Sequence, residues 1–215
     1  MRALTLPLTL LVALATTAQA QDNCLAQVKF PSVGRWAEYK AVYNGKEPYT
    51  VRYAVIGEEK RGGQDLQWVE LRMTGANKDR NVIYQMLVPG TLMEMRNVQE
   101  IVFKTGDKPA MKMNGMMMKM IRGQLEKQNF FSDVCKDVSV VGKERVTVPA
   151  GQFQAQHYRS AKYKADSWIS PSVPFSLVKS VGENYDMQLA AQGDGARSSI
   201  TEQPQEMPGM GAPTK

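Results

Sequence analysis

The residues with the most distinctive chemistry in this chain are methionines, because six of its 14 methionines fall between Met111 and Met120. A thioether is a soft ligand that suits Cu(I), and it is also an unbranched, polarizable apolar group that packs around varied shapes. Met113, Met116 and Met120 are three and four residues apart, so they can share one helical face, which Met117 can join from the side. Three interpretations stay open: a Cu(I) site formed by these four residues, an apolar lid over a ligand, and ordinary core packing.

The other reactive residue types do not form a catalytic pattern. His157 is the only histidine, which argues against a histidine-rich metal site and against a His-Cys pair. Ser170 and the pair at 198–199 lack the Gly-x-Ser-x-Gly context of a nucleophilic serine. No glycine-rich phosphate loop follows a strand and opens a helix. The sequence therefore predicts a protein that is not an enzyme and that carries no cofactor.

Two cysteines, Cys24 and Cys135, are the only thiols in the chain. They lack the C-x-x-C spacing of a redox or metal pair. In an oxidising compartment the default state of two such cysteines is a disulfide. We therefore predict a structural Cys24–Cys135 bond that leaves no free thiol.

The amino terminus has the layout of a secretory signal peptide over residues 1–20. Arg2 is followed by an apolar stretch over residues 4–15 and by the small-x-small site Ala18-Gln19-Ala20, so cleavage is expected between Ala20 and Gln21. An N-terminal membrane anchor is the alternative, although the apolar stretch is short for a membrane span. Cleavage would leave a soluble periplasmic protein.

The mature chain is expected to fold as one domain over residues 21–200, since about 195 residues remain after cleavage. Residues 201–215 contain three prolines and two glycines without hydrophobic periodicity, which predicts a disordered tail. The formal charge falls from +6 to +5 because Arg2 is the only charged residue that is removed. Acidic and basic residues are interspersed, which argues against nucleic acid as a partner and allows only mild attraction to an anionic membrane surface.

Most of the chain after Trp36 alternates bulky and polar residues, which is typical of strands with one buried face. Turn signals such as Asn44-Gly45 separate these runs, so successive strands are expected to pair antiparallel. The predicted strands span residues 36–43, 49–56, 66–73, 81–88, 97–104, 138–141, 144–148, 153–160, 165–170, 176–181 and 185–192. Such a series predicts a mainly β fold, in which a strongly curved antiparallel sheet forms an incomplete β-barrel.

One segment, residues 114–128, breaks the alternation and predicts a helix that covers the sheet. Asn114 is its expected N-terminal cap. The apolar residues expected on one face of this helix are Met116, Met117, Met120, Ile121 and Leu125. Lys119, Arg122 and Glu126 fall mainly on the other face, as in an amphipathic helix.

Two segments resemble a family of bacterial exported proteins of the lipoprotein-localisation-factor type, and especially its uncharacterised relatives. The first is the hairpin sequence at 142–153, GKERVTVPAGQF, and the second is the strand pair at 168–179, WISPSVPFSLVK. The resemblance implies a curved, incomplete barrel with helical cover over its concave face. In family members that carry lipoproteins, this concavity holds acyl chains.

Together these observations predict a non-enzymatic binding or carrier protein for a hydrophobic small molecule or lipid. The ligand is expected between the concave sheet and the methionine-rich helix. The predicted lining residues are Met113, Met116, Met117, Met120, Ile121 and Leu125, with Trp36, Trp68 and Trp168 as sheet-side walls. A periplasmic Cu(I)-binding protein and an envelope scaffold that docks on partner proteins are the alternatives.

Overall fold

A computed structural model describes residues 24, 30–89, 98–113, 115–125, 135 and 137–207. The strands are β1 (Trp36–Tyr43), β2 (Tyr49–Arg61), β3 (Gln64–Thr74), β4 (Val82–Pro89), β5 (Glu100–Thr105), β6 (Met111–Lys112), β7 (Ser139–Val148), β8 (Gly151–Ser160), β9 (Ala165–Ile169), β10 (Leu177–Gly182), β11 (Tyr185–Gly193) and β12 (Gln205–Glu206). The described part of the chain also contains the α-helix α1 (Gly115–Leu125) and a short 3-10 helix (Lys78–Arg80).

All twelve strands belong to one open sheet in the order β12-β6-β5-β4-β3-β2-β1-β11-β10-β9-β8-β7. Neighbours pair antiparallel except β12, which runs parallel to β6. The predicted mainly β fold is confirmed. The predicted strands at 138–141 and 144–148 form a single strand, β7, because Gly142 takes part in a register shift without ending the pairing with β8.

Irregular pairing bends the sheet. Register shifts interrupt four strand pairs: β1 with β11, β2 with β3, β7 with β8, and β9 with β10. An extra residue on one strand increases the local twist and bends that strand. At the end of the sheet formed by β8 and β7, the backbone N–H of Ala150 in the β7–β8 turn donates to the carbonyl of Leu189, 3.1 Å away. The hairpin therefore folds back against β11 instead of continuing outward.

The two faces of the sheet have different cores. We call inner the face of β1–β5 and β11 that carries the main core, which includes Ala37, Tyr39, Val51, Tyr53, Val55, Val69, Met86, Ile101, Met187 and Leu189. The opposite, outer face carries a smaller cluster of Trp68, Ile83, Val102, Ala110 and Ile200. Strand alternation explains the division, because successive side chains point to opposite faces.

The predicted disulfide is confirmed. Cys24 and Cys135 are bonded, their Cα atoms are 5.6 Å apart, and 111 positions of sequence separate them. Both residues are fully buried within the main core. The bond therefore links residue 24, ahead of β1, to residue 135, which follows α1 in the chain.

The structure differs from the expected disordered tail over residues 201–207. The segment 194–207 crosses the outer face from β11 to β6, where its last part forms β12. The N–H groups of Gln205 and Met207 donate to the carbonyls of Ala110 and Lys112, at 2.9 and 3.0 Å. Pairing with an otherwise open sheet edge gives residues 205–207 their order, and residues 208–215 lie outside the described residues.

A buried carboxylate holds this segment, which we call the C-terminal strap (residues 194–207), against the sheet. Glu70 on the outer face of β3 is only 1% exposed. It accepts hydrogen bonds from the Ser199 N–H at 2.8 Å, the Ser199 hydroxyl at 2.6 Å and the Gln85 amide at 2.8 Å. Three donors compensate much of the cost of burying a carboxylate.

The predicted signal peptide, residues 1–20, and its cleavage site lie outside the described residues. In the described part of the chain, none of the helical structure is long and apolar enough to cross a bilayer.

Candidate functional site

The methionine-rich segment is divided between the core and the surface. Met113, just before α1, and Met118 within it are buried at 8% and 6% exposure and belong to the main core. Met117 is partly buried and packs against the same core. Met116 and Met120 are 63% and 53% exposed. The helix therefore turns a different face to the sheet from the one expected.

The connection to β6 explains this rotation. Met113 still belongs to the sheet edge, because its N–H donates to the carbonyl of Ile101 at 3.0 Å. The helix begins only two residues later, at Gly115, so its first turn is oriented by that edge. Methionines occupy several sides of the helix, and the sequence alone cannot distinguish the buried side. Asn114, and the side chains of Ile121 and Leu125, lie outside what the structure describes.

The four methionines of the possible Cu(I) site lie in different environments. Met113 is buried in the core and Met117 is partly buried, while Met116 and Met120 face solvent. Among the described residues, histidines, cysteines and carboxylates also form no cluster able to hold a metal ion. The structure thus does not bring the predicted thioether set into one pocket.

Two of the three tryptophans lie away from the space under the helix. Trp36 is on the outer face, where its ring contacts the Arg52 guanidinium at 4.5 Å and its indole N–H donates to the Asp194 carbonyl at 3.2 Å. Trp68 lies in the outer-face cluster and donates to Glu59 at 3.1 Å. Their expected position as walls of the concave face is therefore corrected, because their strand parity is opposite to that of the core.

A cavity of about 610 Å³ opens at the end of the inner face, between the β1–β2 connection and the β3–β4 connection. Its lining residues are Lys46, Glu47, Pro48, Tyr49, Met73, Thr74, Gly75, Ala76 and Asn77. Tyr49 and Met73 also pack against the main core, so the apolar floor of this cavity continues into the inner face. We call it the turn cavity.

Local hydrogen bonds position the walls of the turn cavity. After the Asn44-Gly45 turn, the N–H of Lys46 donates to the carbonyl of Tyr43 at 3.1 Å. On the other wall, the Gly75 N–H donates to the Asn81 side chain at 3.1 Å. An apolar floor with one cationic and one anionic side chain at the rim suits an amphipathic molecule with a small polar end.

Sequence reasoning identified these residues only as turns and strand ends. Asn44-Gly45 and Gly75-Ala76-Asn77 are ordinary turn signals, and nothing in their spacing shows that the two loops face each other. The signal that could have found them is the pairing of Val51 with Met73, which brings the two strand ends together.

Trp168, the third tryptophan, belongs to a cross-strand cluster around the only histidine. The His157 and Trp168 rings stack with centroids 4.4 Å apart, and the Trp168 indole donates to Glu144. The imidazole lies between two carboxylates, with Nδ1 3.0 Å from Glu144 and Nε2 2.6 Å from Asp166. These contacts join β7, β8 and β9, so the cluster fastens the edge strand β7 to the sheet.

The electrostatics of this cluster favour an ionised Asp166. Partial burial by itself would raise the pKa of the Asp166 carboxyl, but hydrogen bonds from Arg159 and His157 oppose this effect. The net result is a pKa below the ordinary aspartate value. A carboxyl with a depressed pKa stabilises the fold above its unfolded-state pKa and loses that contribution as the pH falls through its folded-state pKa.

Replacing Asp166 by asparagine is expected to lower the free energy of unfolding by about 1 kcal/mol at pH 6, because hydrogen bonds to a charged group weaken and solvent screens part of the effect. The difference from the wild type should begin to shrink below about pH 4, the ordinary aspartate pKa, and should keep shrinking as the pH falls through the lower folded-state pKa of Asp166. Urea denaturation from pH 3 to pH 7 measures both values. A difference that stays constant over this range would contradict the charge-based explanation.

Comparison with known proteins finds similarity to solved structures of low sequence identity. No family model and no curated protein matches the chain. One similar solved structure is a protein from Bacteroides fragilis NCTC 9343, described as exported and as having a YmcC-like fold. The two sequences are 13% identical, and the alignment covers 78% of this chain and 99% of that chain, with a TM-score of 0.41. Another, described as a lipoprotein, is from Parabacteroides distasonis ATCC 8503: 13% identity, coverages of 76% and 97%, and a TM-score of 0.36. Scores this low do not establish a shared function.

The two segments behind the resemblance to lipoprotein-localisation factors are strand pairs in the structure. Residues 142–153 form most of the β7–β8 hairpin, with Pro149 and Ala150 in its turn. Residues 168–179 join β9 to β10 through a loop that contains Pro171 and Pro174. These motifs therefore describe how the sheet is built, and ligand-binding residues cannot be transferred from them.

Proposed function

We propose that the protein is a non-enzymatic periplasmic binding protein for a hydrophobic or acylated molecule, and that the apolar part of the ligand occupies the turn cavity. The observation that carries the proposal is the continuity of this cavity with the inner-face core through Tyr49 and Met73. A volume of about 610 Å³ lies within the usual range of small-molecule sites. The export signal predicted from residues 1–20 and the Cys24–Cys135 disulfide support a periplasmic location.

The turn cavity is better supported as the binding position than the space directly under α1. Met113 and Met118 already fill part of the region between the helix and the sheet. The exposed Met116 and Met120 provide additional apolar surface outside the core. In the turn cavity, each 100 Å² of apolar ligand surface removed from water would contribute about 2.5 kcal/mol to binding.

Replacing Ala76 by tryptophan is expected to weaken binding of a dansyl-labelled fatty acid about tenfold or more, because the indole would fill the cavity. Ala76 is exposed in a loop, so the substitution should cost little stability. Fluorescence titration measures the dissociation constant. The matched control is Ala161→Trp, which places the same side chain in the exposed β8–β9 turn and should leave binding unchanged. Equal binding by Ala76→Trp and wild type would contradict the proposed site.

Lipid extraction and mass spectrometry of the purified protein test the ligand class directly. Co-purified acyl species without stoichiometric metal would support a carrier of acylated molecules. Stoichiometric Cu(I) that is lost in the double variant Met116→Leu and Met120→Leu would instead support the copper alternative. An envelope scaffold would be favoured if the purified protein contains neither ligand and if Ala76→Trp binds the dansyl-labelled fatty acid as the wild type does.

A further inference from the structure

A second cavity, of about 390 Å³, lies between the segment before β1 and the β9–β10 loop. Its lining residues are Phe30, Pro31, Ser32, Arg35, Pro171, Ser172, Val173, Pro174, Phe175 and Ser176. Arg35 is the only charged residue in this lining, and three of the others carry hydroxyl groups. A cavity with one cation, several hydroxyls and no carboxylate in its wall is suited to an anion. We call it the Arg35 cavity.

Backbone contacts hold Arg35 in place on one wall. Its N–H donates to the carbonyl of Ser32 at 3.1 Å, and its carbonyl accepts from the N–H of Val55 at 3.1 Å. The preceding residue, Gly34, donates to Val55 and accepts from Ala196 of the C-terminal strap. The arginine therefore extends from a backbone that is fastened to both the sheet and the strap.

The Arg35 guanidinium retains hydrogen-bonding capacity. Its Nε atom lies 3.1 Å from Asp194 Oδ1, which is within ion-pair distance. The Nε–H is nevertheless not aligned with that oxygen, and this buried nitrogen has no hydrogen-bond acceptor. Asp194 itself is largely exposed, so solvent screens its attraction for Arg35. A bound anion could use the donors that Asp194 leaves unused.

The opposite wall is a preorganised loop. The Ser170 N–H donates to the Ser176 carbonyl at 2.7 Å, and the Ser176 N–H donates to the Val173 carbonyl at 2.8 Å. Pro171 and Pro174 restrict the backbone further. Phe175 and Ser176 both have left-handed conformations, with φ of 61° and 62°, which non-glycine residues seldom adopt.

Aromatic packing maintains this strained conformation. The ring of Phe175 is buried and lies edge-on to Phe30, with centroids 6.1 Å apart. It also packs on Tyr53 in the main core, at 5.7 Å. The core thus fixes the loop that presents Ser172 and Ser176 to the cavity. Strained conformations that the surrounding structure enforces are concentrated at binding sites.

We propose that the Arg35 cavity binds a phosphate group. The guanidinium fork matches two phosphate oxygens, and the hydroxyls of Ser32 and Ser176 can donate to the others. The Ser172 hydroxyl, 2.9 Å from that of Ser170, can also donate to the phosphate when it accepts from Ser170. The cavity is larger than a phosphate ion, so a phosphate ester with an attached organic group also fits. This site is separate from the turn cavity and does not depend on the proposed acyl ligand.

Isothermal titration with inorganic phosphate at constant ionic strength tests the site. Arg35→Gln is expected to weaken phosphate binding about tenfold or more, because the only cation in the lining is lost. The matched control is Arg145→Gln, which removes the same charge from an exposed position on β7 and should leave binding unchanged. If both variants bind phosphate as the wild type does, or if wild-type binding is absent, the proposal is overturned.

The Asp194→Asn variant distinguishes an Arg35 that binds an anion from an Arg35 with only a structural role. Removing the neighbouring carboxylate frees the guanidinium and reduces repulsion of an incoming anion, so phosphate affinity should rise about threefold. Thermal denaturation of the same variant shows whether the fold is retained. Unchanged or weaker phosphate binding by a folded Asp194→Asn protein would contradict the proposal.

Two further probes identify the source of the phosphate group. Glycerol 3-phosphate tests a soluble phosphate ester, and flotation with phosphatidylglycerol vesicles against phosphatidylcholine vesicles tests an anionic lipid headgroup. Arg35-dependent binding of glycerol 3-phosphate alone would assign a soluble ester. Arg35-dependent flotation with phosphatidylglycerol would assign a lipid headgroup. If Arg35→Gln retains both interactions, the proposed site is overturned.

Discussion

The double replacement of Cys24 and Cys135 by alanine is expected to lower the free energy of unfolding by about 4–5 kcal/mol. The bond closes a loop of more than a hundred residues, since the cysteines are 111 positions apart. Without it, the unfolded chain gains the conformational freedom that the cross-link removes. A loss of this size is a large part of the total stability of about 5–15 kcal/mol that is typical of single domains. Guanidinium denaturation followed by far-UV circular dichroism measures it.

Chemical reduction provides an independent comparison for the same bond. Dithiothreitol should destabilise the wild type by a similar amount and should leave the Cys24→Ala, Cys135→Ala variant unchanged. Because both sulfur atoms are buried in the main core, alanine also leaves a small cavity, so the variant should be slightly less stable than the reduced wild type. A combined loss below about 1 kcal/mol would contradict a major stabilising role for the disulfide.

Replacing Glu70 by alanine is expected to lower the free energy of unfolding by about 3 kcal/mol and to release the C-terminal strap. The carboxylate accepts from two groups of Ser199 and from the Gln85 amide. Its removal leaves these donors without their acceptor in a buried position, which costs more than the loss of a solvent-exposed contact. Hydrogen exchange should accelerate selectively in residues 196–207, and urea denaturation should report the stability change.

Glu183→Ala is the matched control, because its ion pair with Lys164 is exposed on both sides. This substitution should change the free energy of unfolding by no more than about 0.5 kcal/mol, as is usual for surface ion pairs. Equal effects of the Glu70 and Glu183 substitutions would contradict the role assigned to Glu70. Rapid exchange throughout the sheet of Glu70→Ala would show that the strap is required for the whole fold.

The strands could be predicted from the sequence because alternation is a local property. The predicted first strand, 36–43, has the same bounds as β1. The second strand, β2, continues to Arg61, five residues beyond its predicted end, because a bulge near Gly57 lets pairing with β3 continue. Local patterns thus located the strands, while pairing with neighbours determined how far each strand extends.

The helix was predicted as an element, but its orientation was not. An amphipathic pattern identifies a helix when polar and apolar faces are distinct, and here methionines surround much of its circumference. The hydrogen bond of Met113 to Ile101 sets the entry into α1, and Met118, absent from the predicted site, is buried. Met116 and Met120 are consequently exposed, although their spacing suited a buried face.

Composition alone did not predict the order of residues 201–207, because that order also depends on contacts with distant parts of the chain. Residues 201–207 lack hydrophobic periodicity, so no local signal indicates order. Gln205 and Met207 are held by hydrogen bonds to Ala110 and Lys112. Glu70 holds Ser199 just before this stretch, and all three partners are far away in sequence. A segment that is polar by itself becomes structured when a sheet edge and a buried carboxylate provide its hydrogen-bond partners.

By itself, the sequence determined the mainly β fold, the position of nearly every strand and the pairing of the two cysteines. Alternation, turn residues and the count of thiols are sufficient for these features. Only the tertiary structure decided which methionines are buried, which face the tryptophans occupy, and where the turn cavity and the Arg35 cavity form. These features depend on contacts between residues far apart in the chain, which bulges, sheet curvature and the path of the C-terminal strap bring together.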